Sequence, residues 1–262
     1  MENKKSMRDP FPWIGKVFKY EMKHSVRILL PIYIAIVAIA FITGLFIPIN
    51  SEGHIHLSLK IDGSDSVMNG IAGFFFMIYW IILIVAGVVT ISVISKRFKI
   101  GLLGDEAYLN LSLPVTIGEH LWGRILTILV WGFASLVVMI LSFIALCIKN
   151  LSIIHIEEGW INFIFGLIMF CESWSLCIHL FTYMINAIGH LSKKHRTLVK
   201  LVSIILIISI TSRLIGGITI NYFANNDNDL VMLYWNALFG LIISGIYGTV
   251  TYFIMKLKLN LE

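Results

Sequence analysis

The sequence predicts an all-α polytopic membrane protein. Six transmembrane helices follow an N-terminal amphipathic helix lying in the membrane plane, and both termini face the cytoplasm. Three observations carry this reading. First, 58% of the 262 residues are hydrophobic and 13% charged, whereas soluble domains hold about 25% charged residues; the mean hydropathy is +0.89. Second, six apolar runs, 28–49, 67–95, 125–148, 159–188, 201–220 and 231–255, are separated by short polar stretches. Each is long enough for the helix of about 20 residues that crosses a hydrocarbon core roughly 30 Å thick. Third, the basic residues gather on one side. Seventeen of them (Lys4, Lys5, Arg8, Lys16, Lys19, Lys23, Arg27, Lys96, Arg97, Lys99, Arg124, Lys193, Lys194, Arg196, Lys200, Lys256 and Lys258) fall on the termini and alternate connections, against Lys60 and Lys149 on the other side. Positive residues stay cytoplasmic, which sets the orientation.

The whole chain reads as a single transmembrane domain, 1–262. Its net charge of +5 collects at helix ends and so gives no nucleic-acid footprint. Cys147, Cys171 and Cys177 lie inside apolar runs without metal or redox spacing and read as packing residues. No signal peptide is visible: the first 27 residues are too polar and the next apolar run too long for one.

Residues 11–24 have helical periodicity, with Phe11, Ile14, Val17, Phe18 and Met22 on one face and Lys16, Lys19 and Lys23 opposite. This is the in-plane helix, its apolar side in acyl chains and its lysines at anionic headgroups. Glu21 falls on the apolar face and calls for a basic partner. The first span carries Pro31, and the outer loop after it holds His54 and His56, which lack a third metal ligand and read as solvated. Gly70 and Gly73 open the second span and allow close helix approach.

The connection 96–124 is KRFKIGLLGDEAYLNLSLPVTIGEHLWGR. Gly101 and Gly104 break the preceding helix by adopting positive φ. Asp105 then caps a short helix, with Glu106 at its positive end. Tyr108, Leu109, Leu111 and Leu113 are too apolar for a bare connector. Pro114 stops this helix, and Thr116 with Glu119 forms the capping box of the next. Two readings fit the residues equally: a docking helix for another protein, or an interfacial helix that seals the lipid boundary.

The run Lys96-Arg97-Phe98-Lys99 followed by GDEAYLNLSLPVT resembles type-2 ABC-transporter permease subunits of Gram-positive bacteria. The motif resemblance covers residues 96–124, and the remainder is similar in topology alone. Ala107 departs from the pattern, standing where a glycine is expected. The resemblance implies that this loop, 96–124, holds a coupling helix seated in a groove of a nucleotide-binding ATPase subunit. It places Arg97, Gly104, Asp105, Glu106, Tyr108, Leu109, Leu113 and Pro114 at that contact. It also implies a multi-pass protein of the bacterial plasma membrane, paired with a second permease chain, identical or paralogous, and with two ATPase chains. Residues 11–24 resemble the family's elbow helix, including a Tyr-Glu pair like Tyr20-Glu21.

The chain has no GxxxxGK[ST] phosphate loop. It is therefore read as a non-enzyme without a cofactor of its own, with ATP and magnesium in the partner ATPase. The cargo is read as amphipathic, a membrane-active peptide or a lipid, because the spans offer few polar groups to a hydrophilic solute.

Two charges lie within the hydrocarbon. At 1.5 Å per residue, Glu172 is about 24 Å from residue 188 and Arg213 about 20 Å from Lys200. Equal depth on consecutive antiparallel helices predicts an ion pair, since an unpaired arginine at a helix centre costs at least about 2.5–3.5 kcal/mol. The pair serves either helix register or a gate. Two further readings remain: a membrane-embedded enzyme or sensor around Glu172, Ser173, Ser175 and His179, and a proton-coupled secondary transporter using Glu172.

Overall fold

A computed structural model describes residues 11–46, 64–104, 106–107, 115–146, 160–192, 194–223 and 229–258. All regular structure among them is helical: α1 (Phe11–Phe46), α2 (Ser64–Phe98), α3 (Ile117–Leu146), α4 (Trp160–Leu191), α5 (Arg196–Phe223) and α6 (Asp229–Lys258). A π-helical segment, Lys99–Leu103, continues α2. Five of the helices, α1 to α4 and α6, are long and apolar enough to cross a membrane. Among the described residues α5 does not join them by that criterion.

The exposed surface is apolar in stripes. On α2, Phe74, Met77, Ile81, Ile84 and Val88 are all more than half exposed, at three- and four-residue spacing. On α3, Trp122, Leu126, Val130, Phe133, Val137 and Ile144 repeat the pattern. A helix presents positions three and four apart on one face. In water such continuous apolar faces are unfavourable by about 25 cal/mol per Å². In hydrocarbon they are the ordinary solvent-facing surface.

The described residues fall into two compact units. One is built from Ser25–Val93 and Phe133–Ile161. Its helices are pinned by polar bonds: Tyr79 to Ser142 at 2.8 Å, Tyr33 to Thr90 at 3.3 Å, and the Thr43 hydroxyl of α1 donating to the Phe75 carbonyl of α2 at 3.4 Å. Hydroxyl pairs of this kind hold helices together where no hydrophobic difference between lipid and side chain exists. Gly73 has open space around it and is no close-approach point, contrary to the sequence expectation.

The other unit comprises the chain up to His24, Ile94–Gly132 and the chain from Asn162 on. Its centre is the fully buried Tyr183 of α4, stacked on Phe98 with ring centroids 4.0 Å apart. Ser95 and Thr182 share a hydrogen bond of 2.8 Å beside it. Gly240 of α6 lies against Ser173 of α4, where any side chain would sit about 2.9 Å from its hydroxyl.

Three local expectations are corrected. Residues 11–24 are not a separate helix: α1 runs unbroken for 36 residues, because His24-Ser25-Val26-Arg27 contains neither glycine nor proline. Gly101 does not end α2 but sits buried within the π segment. Gly104 does end it, yet in extended backbone, φ −107° and ψ −159°, without positive φ. The capping box is as expected: the Thr116 amide donates to Glu119 Oε2 at 2.7 Å, and the Glu119 amide to Thr116 Oγ1 at 3.3 Å.

Candidate coupling site

Both ends of the connection 96–124 meet α1 at one carboxylate. Glu21, on the inward face of α1, lies 3.0 Å from Arg124 Nη2 and 3.5 Å from Arg97 Nε. The first is an ion pair at hydrogen-bonding distance; the second is a looser ion contact. The setting is dry: the Arg124 side chain is 5% exposed and that of Glu21 11%. The basic partner called for by Glu21 is thus present twice.

Arg124 is the hub, and each of its contacts has a local cause. Its Nη1 donates to the Phe98 carbonyl at 3.2 Å, and its guanidinium lies over the Phe98 ring at 5.5 Å from the centroid. That ring is the one stacked on Tyr183. Gly123 makes the approach of α1 possible, since a Cβ there would fall 2.8 Å from a Val17 methyl. A planar guanidinium suits this duty: it serves a carboxylate, a carbonyl and an aromatic face at once.

Beside this cluster is a cavity of about 380 Å³, lined by Trp13, Tyr20, Arg97, Glu106, His120 and Arg124 among others. The loop enters it through Glu106, which is exposed, while the Ala107 amide donates to the Gly104 carbonyl at 3.0 Å to start a turn. Lys16 is exposed and stacks over Trp13 at 4.3 Å; Lys19 and Lys23 are exposed on the same helix.

Of the residues assigned by resemblance to an ATPase contact, Gly104 and Glu106 lie at the surface. Arg97 instead turns inward to Glu21. Asp105, Tyr108, Leu109, Leu113 and Pro114 lie outside the described residues, as do His54 and His56. Arg124 was legible only as one more basic residue. The signal for its role was its position seven residues inside α3, where an arginine needs a partner.

The expected ion pair in the spans is not formed. Both carboxyl oxygens of Glu172 are buried without a hydrogen-bond partner, and Arg213 is exposed. The reason lies in rotation about α5. Lys200 faces α4, with its stem across Gly189 and its Nζ donating to Asn186 Oδ1 at 2.6 Å. Thirteen residues on, at about 100° each, Arg213 points roughly 140° away from that face. Glu172 packs instead against Gly132 of α3, whose missing side chain leaves room for the carboxyl. Two turns further along α4, His179 Nδ1 bonds the Ser175 carbonyl at 2.7 Å and must donate there, while its Nε2 has no partner. Among the described residues no group of three or more His, Cys, Asp or Glu is placed to hold a metal.

Comparison with protein-family models, with curated proteins and with solved structures finds no match to this chain. The class that the residues themselves define is a multi-pass helical membrane protein.

Proposed function

We propose that the chain is the membrane-spanning subunit of an ATP-driven exporter, moving an amphipathic peptide or lipid with force supplied by a separate nucleotide-binding ATPase. One observation supports this above the others: Glu21 ties α1 to Arg97, just before the 104–114 loop, and to Arg124, just after it. A push on that loop reaches α1, α2 and α3 together through a buried ionic cluster. Packed interfaces of this kind shift between discrete arrangements and do not deform continuously. In this reading α5 also crosses the membrane, as the fifth of six spans, both termini lie on the ATPase side, and two permease chains complete the pathway in a bacterial plasma membrane.

The test is co-purification of the full chain with a nucleotide-binding subunit from its native membrane. Replacing Asp105-Glu106 with lysines is expected to abolish the complex. Glu21→Gln is expected to preserve the complex and abolish export. A complex that survives the lysine variant sinks the docking assignment.

A second reading, a proton-coupled transporter, draws on the Glu172 carboxyl having no bonding partner in its span. Export that follows an imposed proton gradient without ATP, and is lost in Glu172→Gln, would favour it over the first.

A further inference from the structure

The end of the helix bundle that holds the α4–α5 connection gathers positive charge. The charges of Arg196, Lys200 and Lys99 all act on the His190 ring. Lys99 comes from the π segment, Arg196 from the first residue of α5 and Lys200 from one turn further along. None of the three forms an ion pair with a carboxylate among the described residues.

Lys200 is not a loose surface lysine. Asn186 takes one of its three donors, and the Gly189 backbone supports its stem, so the ammonium is held half-buried with two donors unused among the described residues. Burial, then the charges of Lys99 and Arg196, hold it below the usual lysine range. Fixing one cation beside two others is unfavourable unless an anion completes the group. The amino end of α5 adds to the field, because the first amides of a helix lack internal acceptors and its dipole favours negative charge. Here Val199 supplies the first amide bond of the turn, to the His195 carbonyl at 3.0 Å.

The same turns of α5 show what the anion is attached to. Leu198, Leu201, Val202 and Ile205 are 52–69% exposed, beginning between Arg196 and Lys200 and continuing along the helix. A soluble phosphate has no use for that surface, whereas a lipid has an acyl chain to lay on it. We infer that Lys99, Arg196 and Lys200 form a site for the phosphate of an anionic phospholipid, whose acyl chains lie along the exposed face of α5. This site does not depend on the transport reading.

The test is native mass spectrometry of the full-length chain in mild detergent, titrated with phosphatidylglycerol and, separately, with phosphatidylcholine. The wild type is expected to prefer phosphatidylglycerol. Lys99→Gln, Arg196→Gln and Lys200→Gln are each expected to weaken that lipid about fivefold, the effect of one basic residue near a membrane surface. Lys256→Gln, which removes one charge at the end of α6 and outside the three-residue cluster, is expected to change it less than about twofold, because the pull of a charge falls off within a Debye length. Lys99 and Arg196 are exposed, so their variants carry the test if Lys200→Gln disturbs folding. Equal binding of the two lipids, or an equal loss in Lys256→Gln, overturns the site. Displacement of phosphatidylglycerol by millimolar inorganic phosphate overturns its assignment to a lipid.

Discussion

Two buried carboxylates on this chain meet opposite fates. Glu21 sits near the end of the bundle and is held by two arginines, one of them more buried than itself. Glu172 sits mid-helix in α4, and its carboxyl has no hydrogen-bond partner among the described residues. The difference lies in what the neighbouring helices bring. At the Glu21 level, α2 and α3 are both near the loop that joins them and carry arginines there. At the Glu172 level, the facing α3 residue is Gly132, and the one arginine of comparable depth, Arg213, points elsewhere. A charge in a membrane protein is thus settled by helix rotation as much as by depth.

The largest expected effect is at the paired site. Arg124→Met takes from Glu21 the arginine at hydrogen-bonding distance, and Glu21→Gln leaves a buried guanidinium without its carboxylate. Each should cost about 3–5 kcal/mol, the usual penalty for breaking a buried pair. Denaturant unfolding in micelles measures it, and the double variant Glu21→Gln/Arg124→Met should recover part of the loss. Full additivity would show that the two groups do not interact.

Next is the glycine that accommodates Glu172. Gly132→Ala places a Cβ in contact with that carboxyl and should cost about 1–3 kcal/mol by overpacking. Combining it with Glu172→Ala should relieve the cost. A Gly132→Ala variant as stable as the wild type would mean that the carboxyl lies elsewhere.

Smaller still is the cap of α3. Thr116→Ala removes the hydroxyl that receives the Glu119 amide and should cost about 1 kcal/mol. It should do so independently of Glu21, which would separate anchoring of the loop's end from the ionic cluster.

The smallest effect sharpens the contrast most. In a double-mutant cycle, Glu172→Gln and Arg213→Gln should show a coupling energy below about 0.5 kcal/mol, as for sites without shared partners. A coupling near that of Glu21 with Arg124 would restore the ion pair that the geometry denies.

How much of this was legible in the sequence follows the same divide. Glu21 announced its need for a basic partner, because a carboxylate on the apolar face of a helix is costly alone. The capping box of Thr116 and Glu119 was legible because it is a local device, four residues long. The continuity of α1 was also there to be read: no residue between Glu21 and Arg27 interrupts a helix. By contrast, Arg124 as the partner required knowing that Gly123 brings Val17 close. The depth of Glu172 and Arg213 followed from counting residues, but their directions followed from how Lys200 docks α5 on α4. That contact joins residues 14 apart across a turn, with no signature in either helix alone. The basic cluster was visible as charges on one side of the membrane, while its convergence on His190 was not.

The central claim is that the loop after the π segment receives force from a companion ATPase and passes it to the Glu21 cluster. Its most direct test places a photo-crosslinking cysteine at Glu106, the exposed loop residue that lines the cavity beside Arg124. In native membranes, the account predicts one crosslinked adduct containing a nucleotide-binding ATPase, present in Glu21→Gln and absent when the cysteine is moved to the exposed Val88 on α2. An adduct formed only with lipid, or none with any ATPase, would contradict it.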